Sequence, residues 1–367
     1  MHLRSLKLLN FKNWSELELE FHDKLNCLVG ANGSGKTNVL DAIHYLSVCK
    51  SYFNPVDIQN IRDEEGFFVI EGDFVKDADS EYHIYCGVKR GQKKVFRKNK
   101  KEYGKLAEHI GQFPSVVISP YDRNLITEGS DTRRKFMDNV ISQSDTLYLD
   151  HLIRYNKTLQ QRNALLKFFA ANHKFDPEGL AVYNYQLEEH APYIFQKRQE
   201  FGRVLGEKME YYYEAISGGK EVTEVLYKSQ MEEEDLKSLL EQHLSKDRIN
   251  QYTGVGIHKD DLDFTINGRG LKKFGSQGQQ KSFLIALKLA QYDFLSEKQG
   301  LKPLLLLDDI FDKLDEQRVE QLVKLVHDES FGQIFITDTH KERTAELVQK
   351  ISADHRIFKV NQGELTA

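Results

Sequence analysis

Gly30-Ala31-Asn32-Gly33-Ser34-Gly35-Lys36-Thr37 carries every fixed position of a phosphate-binding loop: Gly30, Gly35, Lys36 and Thr37. Glycines let such a loop curl until successive backbone N–H groups face one anion, and the next helix adds its positive end. Lys36 is expected to reach the β- and γ-phosphates of a nucleoside triphosphate, with the Thr37 hydroxyl on Mg²⁺. Near the other end of the chain, Leu304-Leu305-Leu306-Leu307-Asp308-Asp309 reads as an apolar strand ending in two carboxylates. Asp308 can hold Mg²⁺ there, directly or through water, and Asp309 can orient or deprotonate an attacking water. Ser276-Gln277-Gly278-Gln279-Gln280 puts a hydroxyl and a glycine at the start of a long helical pattern. Alone it reads as a helix cap; beside the other two segments it reads as a second phosphate contact.

A nucleotide site whose halves lie so far apart implies an ATPase domain split by an insertion. Leu17, Leu19 and Phe21 alternate with Glu16, Glu18 and Glu20, the period-two pattern of a half-buried strand. Leu25–Val29 is a strand feeding the glycine loop, and Thr37–Val48 the helix after it. Strands follow at Phe67–Val75, Tyr82–Val88, Val95–Arg97 and Val116–Ile118, with a turn at Arg90-Gly91. From 121 to 250 the periodicity is helical, broken at Pro177-Glu178-Gly179 and Ser217-Gly218-Gly219. Strand chemistry returns at Leu262–Ile266 and Gln333–Thr337, on either side of a helix near 277–296, the carboxylate strand and a further helix. The expected organisation is an α/β body from residues 1–120 and 251–367, with an inserted, mainly helical arm at 121–250.

Composition excludes several classes. The 367 residues are 40% hydrophobic and 29% charged, with a formal net charge of -5, ordinary for a globular chain. No apolar run approaches the roughly 20 residues that span a bilayer, and the start shows no signal-peptide core. The expectation is a cytoplasmic protein with no membrane association. Cys27, Cys49 and Cys86 lack the spacing of a zinc site or a disulfide framework.

Between Lys89 and Lys101 the chain holds Lys89, Arg90, Lys93, Lys94, Arg97, Lys98, Lys100 and Lys101 with no acid among them. On a hairpin this is a ribbon suited to a nucleic-acid backbone, although lysines also protect edge strands. Arg133, Arg134, Arg154, Lys157 and Arg162 are read as an extension of that surface onto the arm. Such binding would be salt-dependent and directed to phosphates rather than base edges. His258, Asp260 and Asp261 sit too close along one segment to enclose a metal ion, and a structural or interface role is expected for them.

Gly30–Thr37, Ser276–Gln280, Asp308-Asp309 and Leu314-Asp315 together resemble the head of the ABC-type ATPases. Finer segments resemble one branch, the RecF family of bacterial recombination-repair proteins. These are Leu9-Asn10-Phe11-Lys12-Asn13-Trp14, Ser119-Pro120-Tyr121-Asp122, Arg133–Asp138, Gln161–Lys167 and Gly256–Leu262. The resemblance implies an ABC-type head that binds ATP and Mg²⁺ and pairs head to tail with a second copy. Ser276 and Gly278 would act across that interface, Gln279 would belong to the same nucleotide site, and Leu314-Asp315 would link the two sites. It further implies weak DNA-dependent ATP hydrolysis, a clamp on double-stranded DNA near single-strand gap junctions, and cooperation with RecR and RecO. RecA loading and the SOS response would follow from that cooperation.

Several positions depart from the broader ABC pattern. Asp309 replaces the usual glutamate, Ser119-Pro120 stands where many heads have a glutamine, and no switch histidine follows Asp338 unless His340 reaches back. Lys12 sits where arginine is common in the family. These departures imply slow, timer-like hydrolysis. A transporter's nucleotide-binding subunit shares the three core motifs, but the stretch from Pro120 to Ser276 is too long and helical for one. An SMC-type tether would need sustained heptads, which the arm lacks.

Overall fold

The computed structural model describes residues 1–76, 80–219, 221–310, 316–327, 331–339, 346 and 354–366. Leu314-Asp315 and His340 lie outside the described residues. By packing, the chain forms two units, one of Met1–Arg123, Tyr211–Lys220 and Gln277–Ala367, the other of Asn124–Glu210 and Glu221–Ser276. Relative to the expected boundaries, residues 251–276 pack with the inserted unit and 211–220 with the terminal one.

Two six-stranded sheets build the terminal unit among the described residues. The first runs, in spatial order, Glu364–Thr366, His355–Asn361, Leu25–Val29, Ile334–Asp338, Leu304–Asp308 and Ser115–Ile118. All of its pairings are parallel except the outermost, between His355–Asn361 and Glu364–Thr366. Every residue of Leu25–Val29, Leu304–Asp308 and Ile334–Asp338 is buried. That accounts for their mostly apolar sequences, interrupted only by Asn26, Thr337 and the terminal Asp308 and Asp338, since a central parallel strand is covered on both faces. The register sets Leu25 against Ile334 and Leu305 against Ile334, so strands from both ends of the chain finish at one edge. The second sheet is antiparallel and runs Trp14–Glu20, His2–Phe11, Phe67–Val75, Glu81–Lys89, Val95–Lys98 and Lys101–Glu102. Helix Lys36–Val48 shares its core, where Phe11 meets Phe68 edge to face at 5.2 Å and Tyr45 lies beside both.

The inserted unit holds helices Ser130–Ser144, Thr146–Ala171 and Leu236–Asn250, and most of Pro177–Ser217. Asp145 and Asp235 cap their helices, each accepting a backbone N–H at 2.8 Å. The expected break at Pro177-Glu178-Gly179 separates helix Thr146–Ala171 from helix Pro177–Ser217, with Pro177 in the first turn of the second, where its missing N–H has no partner to lose. Asp176 accepts the Gly179 N–H at 3.0 Å and fixes that start. The stretch 121–250 also hides a strand, Thr223–Lys228, paired antiparallel with Asp261–Ile266. Its partner lies far along the sequence, so no hairpin signal announced it.

Buried charges organise this unit. Arg198, 2% exposed, donates to Asp138 at 2.9 Å, to Asp260 at 2.7 Å and to the Ile257 carbonyl at 2.6 Å. Tyr227 adds a hydroxyl to Asp260 at 2.6 Å, and burial holds that carboxyl above its ordinary range. His258 bonds Tyr155 and the Thr253 carbonyl, a structural role as expected. Arg162 is fully buried against Asp247, Thr253 and Asn184. Arg133 forks onto Asp261 at 2.7 and 2.9 Å, and Arg134 donates to the Asp260 carbonyl. The arm's expected nucleic-acid surface therefore loses Arg133, Arg134 and Arg162, whose charges are matched inside the unit. Arg154 and Lys157 remain exposed.

Removing one partner of a buried pair strands the other and costs about 3–5 kcal/mol, whereas an exposed i,i+4 pair contributes about 0.3–0.5. Arg162→Met should therefore unfold the inserted unit at markedly lower temperature, while Arg154→Met, whose side chain is 61% exposed beside Asp150, should leave the melting curve nearly unchanged. Equal melting of the two variants would contradict the assignment.

Candidate nucleotide site

The glycine loop leaves strand Leu25–Val29 and enters helix Lys36–Val48, both fixed by the terminal unit's core. Three donors grip it from outside. Asn13 Nδ2 and Gly363 N donate to the Ser34 carbonyl at 3.1 and 2.9 Å, and Trp14 Nε1 donates to the Gly35 carbonyl at 3.1 Å. Carbonyl and N–H point oppositely across a trans peptide, so the N–H groups of Gly35 and Lys36 face away from these donors. A side chain on Gly30 would meet the Val360 carbonyl at 2.1 Å, and Gly35 sits at φ 113°. Both positions require glycine.

Inside the loop, Lys36 Nζ donates to the Gly30 and Ala31 carbonyls at 2.8 and 2.9 Å. The Thr37 hydroxyl donates to Asp308 Oδ1 at 2.8 Å, and Thr337 donates to the same oxygen at 2.8 Å. Thr337 Oγ1 in turn accepts the Asp309 N–H at 3.0 Å, with Asp309 held at φ 46°. Burial raises the Asp308 carboxyl above its ordinary range, and the charge of Asp309 adds to this against the two threonine bonds. Ser34 Oγ is buried with no hydrogen-bond partner among the described residues. An ammonium, an orphaned hydroxyl and two hard oxygens in contact fit a magnesium–nucleotide triphosphate. Thr37 and Asp308 would hold the metal, whose chemistry is to neutralise charge gathering on the transferred phosphate.

A cavity of about 270 Å³ adjoins Asp309. Ser119, Pro120 and Arg123 line one part of it, and Gln277, Gly278, Gln280 and Lys281 another. The Arg318 guanidinium lies against Gly278, where an added side chain would meet Nη1 at 2.6 Å. None of residues 30–37 belongs to that lining, so the cavity brings the start of helix Gln277–Gln299 to Asp309 rather than to the loop.

Sequence reasoning missed the link between these parts. Asp41, on the loop helix, pairs with Lys12 at 2.6 Å and accepts the Ser51 hydroxyl and the Tyr52 N–H. The Tyr52 hydroxyl donates to Asp122, whose other oxygen accepts the Ser119 N–H at 2.8 Å. Lys288, on helix Gln277–Gln299, is buried 3.6 Å from Asp122, and burial lowers its pKa. A buried lysine amid the apolar residues of that helix was the available signal. Thr337 left none, being a short polar residue in an apolar strand. Lys12 thus ties a strand end to the loop helix, and its ammonium also lies 5.5 Å from the Phe53 ring centre.

The basic hairpin splits by the strand period. Lys94, Phe96 and Lys98 share the inward face. Lys94 lies 2.8 Å from Asp57 and donates to the Cys49 carbonyl at 2.6 Å, and Lys98 donates to Gln112 at 2.6 Å. Lys94 is therefore a structural cation, and Lys98 is half-buried. Lys89, Arg90, Lys93, Arg97, Lys100 and Lys101 are exposed.

The family model of the RecF/RecN/SMC N terminal domain matches residues 2–366. The chain is 54% identical over 360 residues to the DNA replication and repair protein RecF of Flavobacterium johnsoniae, covering 98% of this chain and 100% of that one. Against the protein of that name from Phocaeicola vulgatus it is 49% identical over 367 residues, covering 100% and 98%. A solved RecF with ATP, a recombination mediator protein of the RecFOR pathway, superposes with a TM-score of 0.88 at 31% identity, over 100% of this chain and 97% of that one. An Smc head bound to the C-winged helix domain of ScpA gives 0.60 at 14% identity, over 100% and 96%, a likeness of fold. The α/β body built from both chain ends is thus the ABC-type head.

Because the native state holds Asp308 above its unfolded pKa, the unfolded chain loses that proton first, and stability falls as pH rises between the two values. Asp308→Asn should therefore raise the thermal midpoint at neutral pH, with the gain shrinking as pH falls through the native value, while ATP hydrolysis is abolished. A lower midpoint at neutral pH would contradict this reading of the buried carboxylate.

Proposed function

The chain belongs to the RecF family of DNA replication and repair proteins, and from that premise we propose that it is an ATP-gated clamp on DNA. Two copies meet head to tail, so that Ser276, Gly278 and Gln279 of one copy complete the Gly30–Thr37 site of the other. Closure grips double-stranded DNA beside a single-strand gap, and hydrolysis reopens the pair. The six exposed cations of the hairpin contact phosphates, the sequence-independent part of such binding. By family, the closed form works with RecR and RecO in loading RecA, feeds the SOS response, and acts in the cytoplasm. No helix among the described residues is long and apolar enough to cross a membrane.

The observation that carries this reading is the contact of Thr37 with Asp308, a metal-binding pair assembled from opposite ends of the chain. Such a site can respond to nucleotide only when both halves of the head are in place. Weak, DNA-stimulated hydrolysis is supported by Asp309: an aspartate reaches less far than a glutamate, and its left-handed backbone is held by Thr337. The Asp41–Tyr52–Asp122–Lys288 chain supports coupling between the loop helix and the helix that opens at Gln277.

Light scattering should show ATP converting wild type from monomer to dimer, with a gapped duplex favouring the dimer further. Lys36→Met should lose the dimer through loss of phosphate binding, and Ser276→Arg through loss of the phosphate contact that Ser276 makes across the interface. Single-turnover hydrolysis with DNA should stay below several per second. A chain that stays monomeric with ATP and DNA, or that hydrolyses faster, would refute the clamp or its timer respectively.

A further inference from the structure

Between Asp263 and Asp293 the chain contains no acidic residue, and its exposed charges gather just before Ser276. Strands Asp261–Ile266 and Arg269–Gly270 form a tight hairpin through Asn267 and Gly268, followed by the helical turn Leu271–Phe274. Leu271 is fully buried and anchors that turn. Phe274, three residues on, would ordinarily join Leu271 on the same helical face. Instead it is 54% exposed. Arg269 and Lys273 hold their charges 5.7 and 5.4 Å from its ring centre. Arg269, Lys272 and Lys273 are all exposed and make no ion pair among the described residues. Unlike Arg133, Arg162 and Arg198 of the same unit, which pair with Asp261, Asp247, Asp138 and Asp260, these three cations face outward around one ring.

We propose that Phe274 with Arg269, Lys272 and Lys273 is a binding site for single-stranded nucleic acid, the ring stacking on an unpaired base and the cations holding flanking phosphates. The proposal rests on the DNA-clamp reading and adds to it a contact for the unpaired strand of a gap. A single exposed phenylalanine is unremarkable on a protein surface. One flanked by two cations on an acid-free segment combines the two elements that bind single strands without sequence preference: an aromatic face and a positive track. Duplex DNA keeps its bases stacked and offers this ring nothing, so the site distinguishes the two forms by chemistry. Phe274 precedes Ser276 by only two residues, which places base stacking next to the segment proposed to sense the partner's nucleotide.

The test is fluorescence anisotropy of the full chain with labelled oligo(dT), an abasic strand of the same length, and a blunt duplex. Phe274→Ala should weaken oligo(dT) binding by about five-fold or more, with little change for the abasic strand or the duplex. Alanine at Arg269, Lys272 and Lys273 should weaken both single strands, and each change should lower the salt slope by about 0.7. Unchanged oligo(dT) binding by Phe274→Ala, or equal losses on oligo(dT) and abasic strands, would overturn the proposal. So would loss of the ATP-driven dimer with DNA binding intact, which would assign the ring to nucleotide or to the other head. If wild type binds none of the three DNAs, the clamp reading falls together with this one.

Discussion

One hydrogen bond, from the Thr37 hydroxyl to the Asp308 carboxylate, joins the two halves of the chain at the point where its chemistry belongs. Thr337 donates to the same oxygen from the strand between them. The three side chains meet because Leu25–Val29, Ile334–Asp338 and Leu304–Asp308 are neighbours in a parallel sheet and finish at one edge. Parallel neighbours require long crossover connections, and here one connection is long enough to carry an entire second unit. The insertion therefore costs the site nothing in geometry, provided the sheet closes around it.

Asp308 shows what this arrangement costs in stability. A carboxylate buried at the strand end, with a second carboxylate next to it, is pushed toward its protonated form. Two threonine hydroxyls offset only part of that. Under the proposed function that cost is the counterpart of a site suited to a dication, a common trade between stability and function. The opposite holds in the inserted unit, where Arg198 and Arg162 are each matched by carboxylates and hydroxyls. Charges there fix the fold, whereas the six outer cations of the hairpin and the three around Phe274 are exposed.

Much of this was legible in the sequence because the signals were local. The loop pattern needs only eight consecutive residues, and the strand Leu304–Asp308 declares itself by an apolar run stopped by acid. The α/β body and its split followed from the spacing of those two. What stayed hidden depended on partners distant in sequence. The strand Thr223–Lys228 exists because Asp261–Ile266 lies beside it, and the inward turn of Lys94 depends on which face Phe96 buries. Runs of like charge were the least reliable guide. Arg133 and Arg162 looked like a surface until the Asp261 and Asp247 carboxylates met them, and Arg134 until it turned to the Asp260 carbonyl.

If each nucleotide site is completed by a second copy, as proposed, two variants inactive for different reasons should rescue each other when mixed. Lys36→Met keeps an intact Ser276 segment, and Ser276→Arg keeps an intact phosphate loop. ATP hydrolysis measured for each alone, and then for an equimolar mixture, should be absent in the first two and restored in the third, because a mixed pair contains one whole site. A mixture as inactive as its components would show that the two segments never serve the same nucleotide, and the head-to-tail account would be wrong.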